Sequence, residues 1–119
     1  MAINQRDVYL LPFPLDDLTQ DHPFIVLSIK EANEVENTFI AVMITSSPHK
    51  DDFSFDLNDS MFDASLHKKG CHVRMHLVTI YLGGEIRGRK LNTMKEFYFK
   101  QLMSTIGEMV FNYNFEKMV

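Results

Sequence analysis

Along most of the chain, hydrophobic residues fall in short runs separated by polar, turn-forming stretches, which is the spacing of strands. Asp7-Val8-Tyr9-Leu10-Leu11-Pro12-Phe13 predicts a first strand. Pro12 and Pro14 have no N–H to give to a ladder, so they end that strand or leave it at an edge. The polar stretch Asp16 to Asp21 follows as a connecting loop. Pro23-Phe24-Ile25-Val26-Leu27-Ser28-Ile29 is a β-branched apolar run bounded by turn formers and reads as a buried strand. Glu31 to Asn37 is polar, and its Asn33 and Asn37 suit a turn. Phe39-Ile40-Ala41-Val42-Met43-Ile44 is apolar on both alternating faces, as a central strand of a closed sheet requires. The chain leaves the sheet at Thr45-Ser46-Ser47-Pro48, and Phe53-Ser54-Phe55-Asp56-Leu57 alternates like a half-buried strand.

The run from Cys71 to Ile80 places Cys71, Val73, Met75 and Leu77 on one face and His72, Arg74 and His76 on the other. Gly83-Gly84 offers a turn into a short charged strand, Glu85-Ile86-Arg87-Gly88-Arg89. The period then changes. Phe99, Leu102, Met103, Ile106, Met109 and Val110 recur at helical spacing, and Thr93 with Glu96 three residues on has the form of a capping box. Five or six short strands and one terminal helix predict a mostly-β (α+β) fold, a small barrel or strongly bent sheet covered by the helix.

Composition narrows the class of protein. A chain of 119 residues with 45% hydrophobic and 24% charged positions fits one domain, 1–119, with a core of its own. The longest apolar runs, such as Phe39 to Ile44, are too short to span a bilayer. The opening residues lack the charged-then-apolar order of a secretory signal. The single Cys71 cannot form an internal disulfide, so a reducing cytoplasm is the expected location. Cys71 alternates with Val73 and is expected as a core thiol. The net charge of −4 argues mildly against a nucleic-acid partner, yet charge is unevenly spread. Acids dominate Asp51 to Asp63 and bases gather between His67 and Lys90, which leaves room for a one-sided basic surface.

Several segments, taken in order, resemble the MazF/PemK-like toxins. Arg6-Asp7-Val8-Tyr9-Leu10-Leu11-Pro12-Phe13-Pro14-Leu15-Asp16-Asp17-Leu18 is similar to the PemK-type opening, in which Gly-Asp and an apolar strand precede Pro-Phe-Pro-x-x-Asp-Leu. His22-Pro23-Phe24-Ile25-Val26-Leu27-Ser28 is similar to the family's Arg-Pro-x-Leu-Val-Leu-Ser, and Ala41-Val42-Met43-Ile44-Thr45-Ser46 to the strand ending in Ile-Thr-Ser. Gly70 to Ile80 and the terminal helix fit the remainder. The resemblance implies an SH3-like barrel of five to seven strands with a C-terminal helix, a homodimer that cleaves single-stranded RNA without a metal or other cofactor. It also implies an antitoxin protein laid over the RNA groove. Thr45 matches one of the family's two principal catalytic residues. His22 stands where the other, an Arg, is expected.

The chemistry follows from that exchange. Cleavage at a ribose needs a base for the 2′-OH proton, an acid for the departing 5′-oxygen, and positive charge near the phosphorane. A His titrates near ~6.5 and can move protons at neutral pH, whereas Arg, with a pKa above ~12, mainly supplies charge. Two readings of His22 compete. In one, His22 takes proton transfer, Thr45 orients the phosphate by hydrogen bonding, and Arg74 with His76, or Arg87, supplies the charge that His22 lacks. In the other, His22 is a polar loop residue before a strand-starting Pro. Ser46 and Ser47 flank Thr45, and Phe13, Tyr9 or Phe24 would stack on exposed bases. Arg87-x-Arg89-Lys90 tracks phosphates or protects an edge strand. Two alternatives remain open at this stage: a catalytically inactive barrel that binds a peptide or RNA, and a gyrase-directed toxin of similar fold. Tyr81, Phe111, Tyr113 and Phe115 are expected to be covered by dimerisation.

Overall fold

The computed structural model describes residues 2–15, 20–66 and 68–113. Asp16, Asp17 and Leu18 of the opening motif, together with His67 and Phe115, lie outside the described residues. Six strands form one antiparallel sheet: β1 Asp7–Pro12, β2 Asp21–Val26, β3 Thr38–Thr45, β4 Ser54–Asp56, β5 His72–Leu82 and β6 Arg87–Thr93. Their order across the sheet is β4-β5-β3-β2-β1-β6, with a helix α1, Lys30–Glu36, between β2 and β3 and a terminal helix α2, Glu96–Met109. The mostly-β plan with a C-terminal helix is thus the one the hydrophobic pattern predicts. β1 stops at Pro12, and β3 lies centrally between β2 and β5. The charged β6 takes an edge, where its exposed side chains discourage pairing with other chains.

Each face of the sheet carries its own apolar cluster, and cross-strand rows explain why. Val8 lies opposite Ile25, Ile25 opposite Val42 and Val42 opposite Val78. This row faces α2, which buries Phe99, Leu102 and Ile106 against it. Met103 and Met109 of the predicted stripe stay substantially exposed, so the helix buries a narrower stripe than its period offers. The neighbouring row runs Tyr9, Phe24, Met43 and belongs to the second cluster, with Leu11, Val26, Phe39, Ala41 and Tyr81. Cys71 is buried in the first cluster, and burial pushes its thiol pKa up.

Three local expectations are corrected. The polar stretch 31–37 is not a simple turn. Lys30 to Glu36 forms one helix, supported by a Lys30–Glu34 ion pair at 3.7 Å one turn apart. Asn33 is its buried anchor, donating to the Ile3 carbonyl at 2.8 Å, and Asn37 ends it in the left-handed conformation. The close approach of Gly83 to the Asn37 side chain leaves no room there for a Cβ. Thr93 caps no helix. It closes β6 and donates its hydroxyl to Asp7 at 2.9 Å, while α2 starts after Lys95 without a side-chain cap.

The third correction concerns β5. Ile44 pairs with Val73 but Val42 pairs with Val78, so β5 carries extra residues between those two points. The strict two-residue alternation breaks there. Val73 and Met75 pack with α2, whereas Leu77 packs into the opposite cluster. His72, which the alternation sets on the face with Arg74 and His76 and away from Val73, is nevertheless fully buried.

Candidate active site

The candidate residues are collected at one end of the second cluster's face by strand pairing. His22 lies opposite Leu11 on β1. The β2–β3 pairing ends where Phe24 lies opposite Met43, so His22 and Thr45 stand two residues beyond it, at the ends of neighbouring strands. Thr45 lies opposite His72, and His72 opposite Asp56 on β4. Residues paired across strands share a face. Thr45, His72 and Asp56 therefore form one row crossing β3, β5 and β4, and His22 stands near the start of β2, the other neighbour of β3.

The side chains along this row are held by short local contacts. The Thr45 hydroxyl accepts the Ser47 N–H at 3.2 Å, and the Ser47 hydroxyl accepts the His49 N–H at 3.3 Å. These two turns bend the chain away from β3 directly beyond Thr45. Ser46, between them, is exposed. Phe13, just past β1, presents its ring to His22 edge-on with centroids 6.1 Å apart, and it leans on Phe24 at 6.4 Å. An aromatic wall thus stands beside the His22 imidazole.

Arg74 lies one step further along β5, opposite Ser54. Its guanidinium grips the Asp51 carboxylate with both nitrogens at 2.9 Å and also donates to the Ser54 hydroxyl at 2.9 Å. The bidentate fork matches a carboxylate as it would a phosphate. The Arg74 hydrogen bond, with a further one from the Phe53 N–H, holds the Asp51 carboxyl down to about 2. Because that pKa is depressed, the pair is intact above the ordinary carboxylate range and is lost as pH falls through about 2. At neutral pH Arg74 is therefore charged but already partnered. His76 is exposed, its ring 5.4 Å from that of Phe53.

Arg87 is placed elsewhere. It sits opposite Leu10 on β6, and its Nε lies 3.9 Å from Asp21. The pairing groups it with Asp21, beside the row rather than in it. Tyr9 and Phe24, offered by the sequence as stacking surfaces, are core residues and are not available to bases. Phe13, half-buried, remains the aromatic ring at the site. Tyr81 is likewise buried, donating to the Pro12 carbonyl at 2.7 Å, with its pKa pushed up to about 12 chiefly by burial. Phe111 and Tyr113 are exposed. Among the described residues no group of three or more His, Cys, Asp or Glu side chains is arranged to hold a metal ion. His72 keeps the face that the alternation assigns it, but its full burial is not signalled by a period-two pattern.

A six-stranded antiparallel sheet with a terminal helix defines a small α+β fold, and comparison with known proteins gives it a family. The chain belongs to the PemK-like, MazF-like toxin family of type II toxin–antitoxin systems, whose model matches residues 4–110. No curated protein sequence matches it. Among solved structures it is similar to an endoribonuclease in complex with its cognate antitoxin from a Mycobacterial species, at 12% identity and a TM-score of 0.72, covering 95% of this chain and 99% of that one. It is also similar to MazF from Deinococcus radiodurans, at 15% identity and a TM-score of 0.72, covering 94% and 99%. A third similar structure is Mycobacterium tuberculosis toxin MazF-mt6, at 12% identity and a TM-score of 0.64, covering 87% and 94%. Among the described residues no helix is long and apolar enough to cross a membrane.

Proposed function

We propose that the chain is a toxin endoribonuclease that cleaves single-stranded RNA without a metal, with 1–119 acting as one barrel domain in the cytoplasm. The observation that carries this reading is the family match over residues 4–110, and it is supported by His22 and Thr45 standing at the ends of the neighbouring strands β2 and β3. His22 takes the 2′-OH proton, and the 2′-oxygen attacks phosphorus. The bond to the 5′-oxygen breaks, and that oxygen leaves with a proton from solvent. Thr45 donates its hydroxyl proton to a non-bridging phosphate oxygen as charge builds there. Phe13 offers a face for a base beside the cleaved bond. Fragments are expected to carry 2′,3′-cyclic phosphates and 5′-hydroxyls, as mass spectrometry of digested oligoribonucleotides would show. Ends with 3′-hydroxyls and 5′-phosphates would require a different nucleophile and contradict this chemistry.

One observation favours the second reading, a barrel that binds RNA or a peptide without cutting. The Asp51 carboxylate already fills the Arg74 fork that a phosphate would use. In the endonuclease reading the phosphate competes for that fork. Asp51→Asn is then expected to tighten RNA binding about 3- to 10-fold and to steepen its salt dependence by roughly one released counterion. Fluorescence anisotropy at several salt concentrations checks this, and unchanged affinity would remove Arg74 from the RNA path.

The MazF structures similar to this chain include complexes with MazE, and an antitoxin is the partner we infer here, covering the same row and excluding RNA. The homodimer we infer is supported by apolar surface on the sheet. Ile40 lies opposite Ile80, and Leu82 follows on the same face of β5. Ile80 and Leu82 are 71% and 59% exposed. Light scattering is expected to report a dimer at micromolar concentration and a monomer for Ile80→Lys. A wild-type monomer would overturn the dimer.

A further inference from the structure

His72 is the first residue of β5, it is fully buried, and neither ring nitrogen makes a hydrogen bond to the protein. A buried imidazole without partners is costly relative to a satisfied one, so a core that needed only bulk here would be better served by an apolar ring. Its position is specific. His72 lies between Thr45 on β3 and Asp56 on β4, in the same row and on the same face. Directly opposite side chains have Cβ atoms ~4.5–5.5 Å apart, within reach of a hydrogen bond after a modest rotation.

The Thr45 hydroxyl has one proton and two lone pairs, and one lone pair is taken by the Ser47 N–H. An N–H from His72 on the second lone pair would leave the proton as the hydroxyl's one remaining hydrogen-bonding function, aimed at the groove. We propose that His72 is a positioning residue: on RNA binding its imidazole donates to Thr45 Oγ1 and fixes the hydroxyl proton toward the phosphate. The inference rests on the endoribonuclease reading for its kinetic consequences, but the hydrogen bond itself does not require cleavage. In the RNA-free molecule the contact is unmade, as hydrogen bonds at unoccupied active sites often are. Asp56, on the other side of His72, is held by Lys50 at 2.9 Å. Arg74 on the same strand is held by Asp51. The charges nearest His72 on β4 and β5 are thus each matched by an opposite one, and an imidazole N–H is the donor.

The test is a double-mutant cycle with a spectroscopic arm. His72→Phe keeps a ring in the core and removes both nitrogens, and its urea unfolding midpoint is expected to stay at or above that of the wild type. Its kcat for RNA cleavage is expected to fall about 10- to 100-fold with KM within about threefold, and His72→Gln, which restores a donor, to recover most of the loss. In a Thr45→Ala background His72→Phe should cost nothing further, because the imidazole acts through that hydroxyl. Wild-type kcat in a folded His72→Phe, or equal losses in both backgrounds, would overturn the proposal. Nitrogen-15 spectra of labelled histidine, with a non-cleavable 2′-deoxy oligonucleotide added, form the second arm. Movement of the His72 ring signals that disappears in Thr45→Ala supports the contact. Signals that stay fixed at millimolar oligonucleotide overturn it. If the wild type fails to cut RNA, the endoribonuclease reading falls by itself, and the spectra still decide the role of His72.

Discussion

Phe24→Ala is expected to destabilise the protein by about 3–5 kcal/mol, the usual range for a buried Phe cut to Ala. Phe24 is fully buried in the second cluster, edge-on to Tyr81 with ring centroids 5.2 Å apart and tilted against Phe13 at 6.4 Å. Removing its ring takes away the transfer free energy of the lost atoms, leaves a cavity and breaks both aromatic contacts. Small domains have only about 5–15 kcal/mol in total, so this one change would remove a large share. The effect reaches the site as well. Phe24 sits two residues from His22 on β2, and Phe13 touches both rings. Urea unfolding followed by far-UV circular dichroism measures the loss. A cost below about 1 kcal/mol would mean that the cluster repacks around the gap, and that Phe24 does not set the geometry of this end of the sheet.

Thr45→Ala is expected to lower kcat for RNA cleavage by about 10²- to 10³-fold, the scale of removing one preorganised donor to a developing oxyanion. The substitution deletes the hydroxyl that accepts the Ser47 N–H at 3.2 Å, a half-buried bond at the end of β3. Its effect on stability should stay near or below about 1 kcal/mol. Activity and stability therefore separate, and unfolding measured beside the kinetics tells them apart. Thr45→Ser keeps the hydroxyl and is expected to retain activity within about tenfold of the wild type. If the Ser variant is as slow as the Ala variant, the methyl rather than the hydroxyl matters, and the assigned role of Thr45 is wrong.

The parts of this fold that were legible in the sequence are those governed by local period. The apolar run at Phe39 to Ile44 marks the central strand because both of its faces are covered, one by α2 and one by the Phe24 cluster. Pro12 marks the end of β1, since no N–H is available there to extend the ladder. Other parts were set by tertiary context. Asn33 looks like a turn residue until its amide is seen anchoring α1 to the Ile3 carbonyl, a contact 30 residues away in sequence. Thr93 and Glu96 have the spacing of a capping box, but the Thr93 hydroxyl is used by Asp7 from the other end of the chain.

His22 and Thr45 were singled out by the family resemblance and not by local period; they stand at the ends of the neighbouring strands β2 and β3. Burial along β5 was not legible. The extra residues between the Val73 and Val78 pairings exchange the faces of Leu77 and its neighbours, and no two-residue pattern contains that shift. The partnership of Arg74 was equally hidden. Asp51 lies 23 residues upstream, in an acidic stretch that reads as a solvated loop, yet it supplies both oxygens to the guanidinium.

The measurement that bears most directly on the central claim is the incubation of a long single-stranded RNA with the purified protein in EDTA, with Thr45→Ala and His22→Arg alongside. Cleavage by the wild type that is lost in Thr45→Ala is the predicted result, with His22 moving the proton where the family pattern has an Arg. An inert wild type beside an active His22→Arg would contradict the account and make the chain a disabled relative whose barrel binds without cutting.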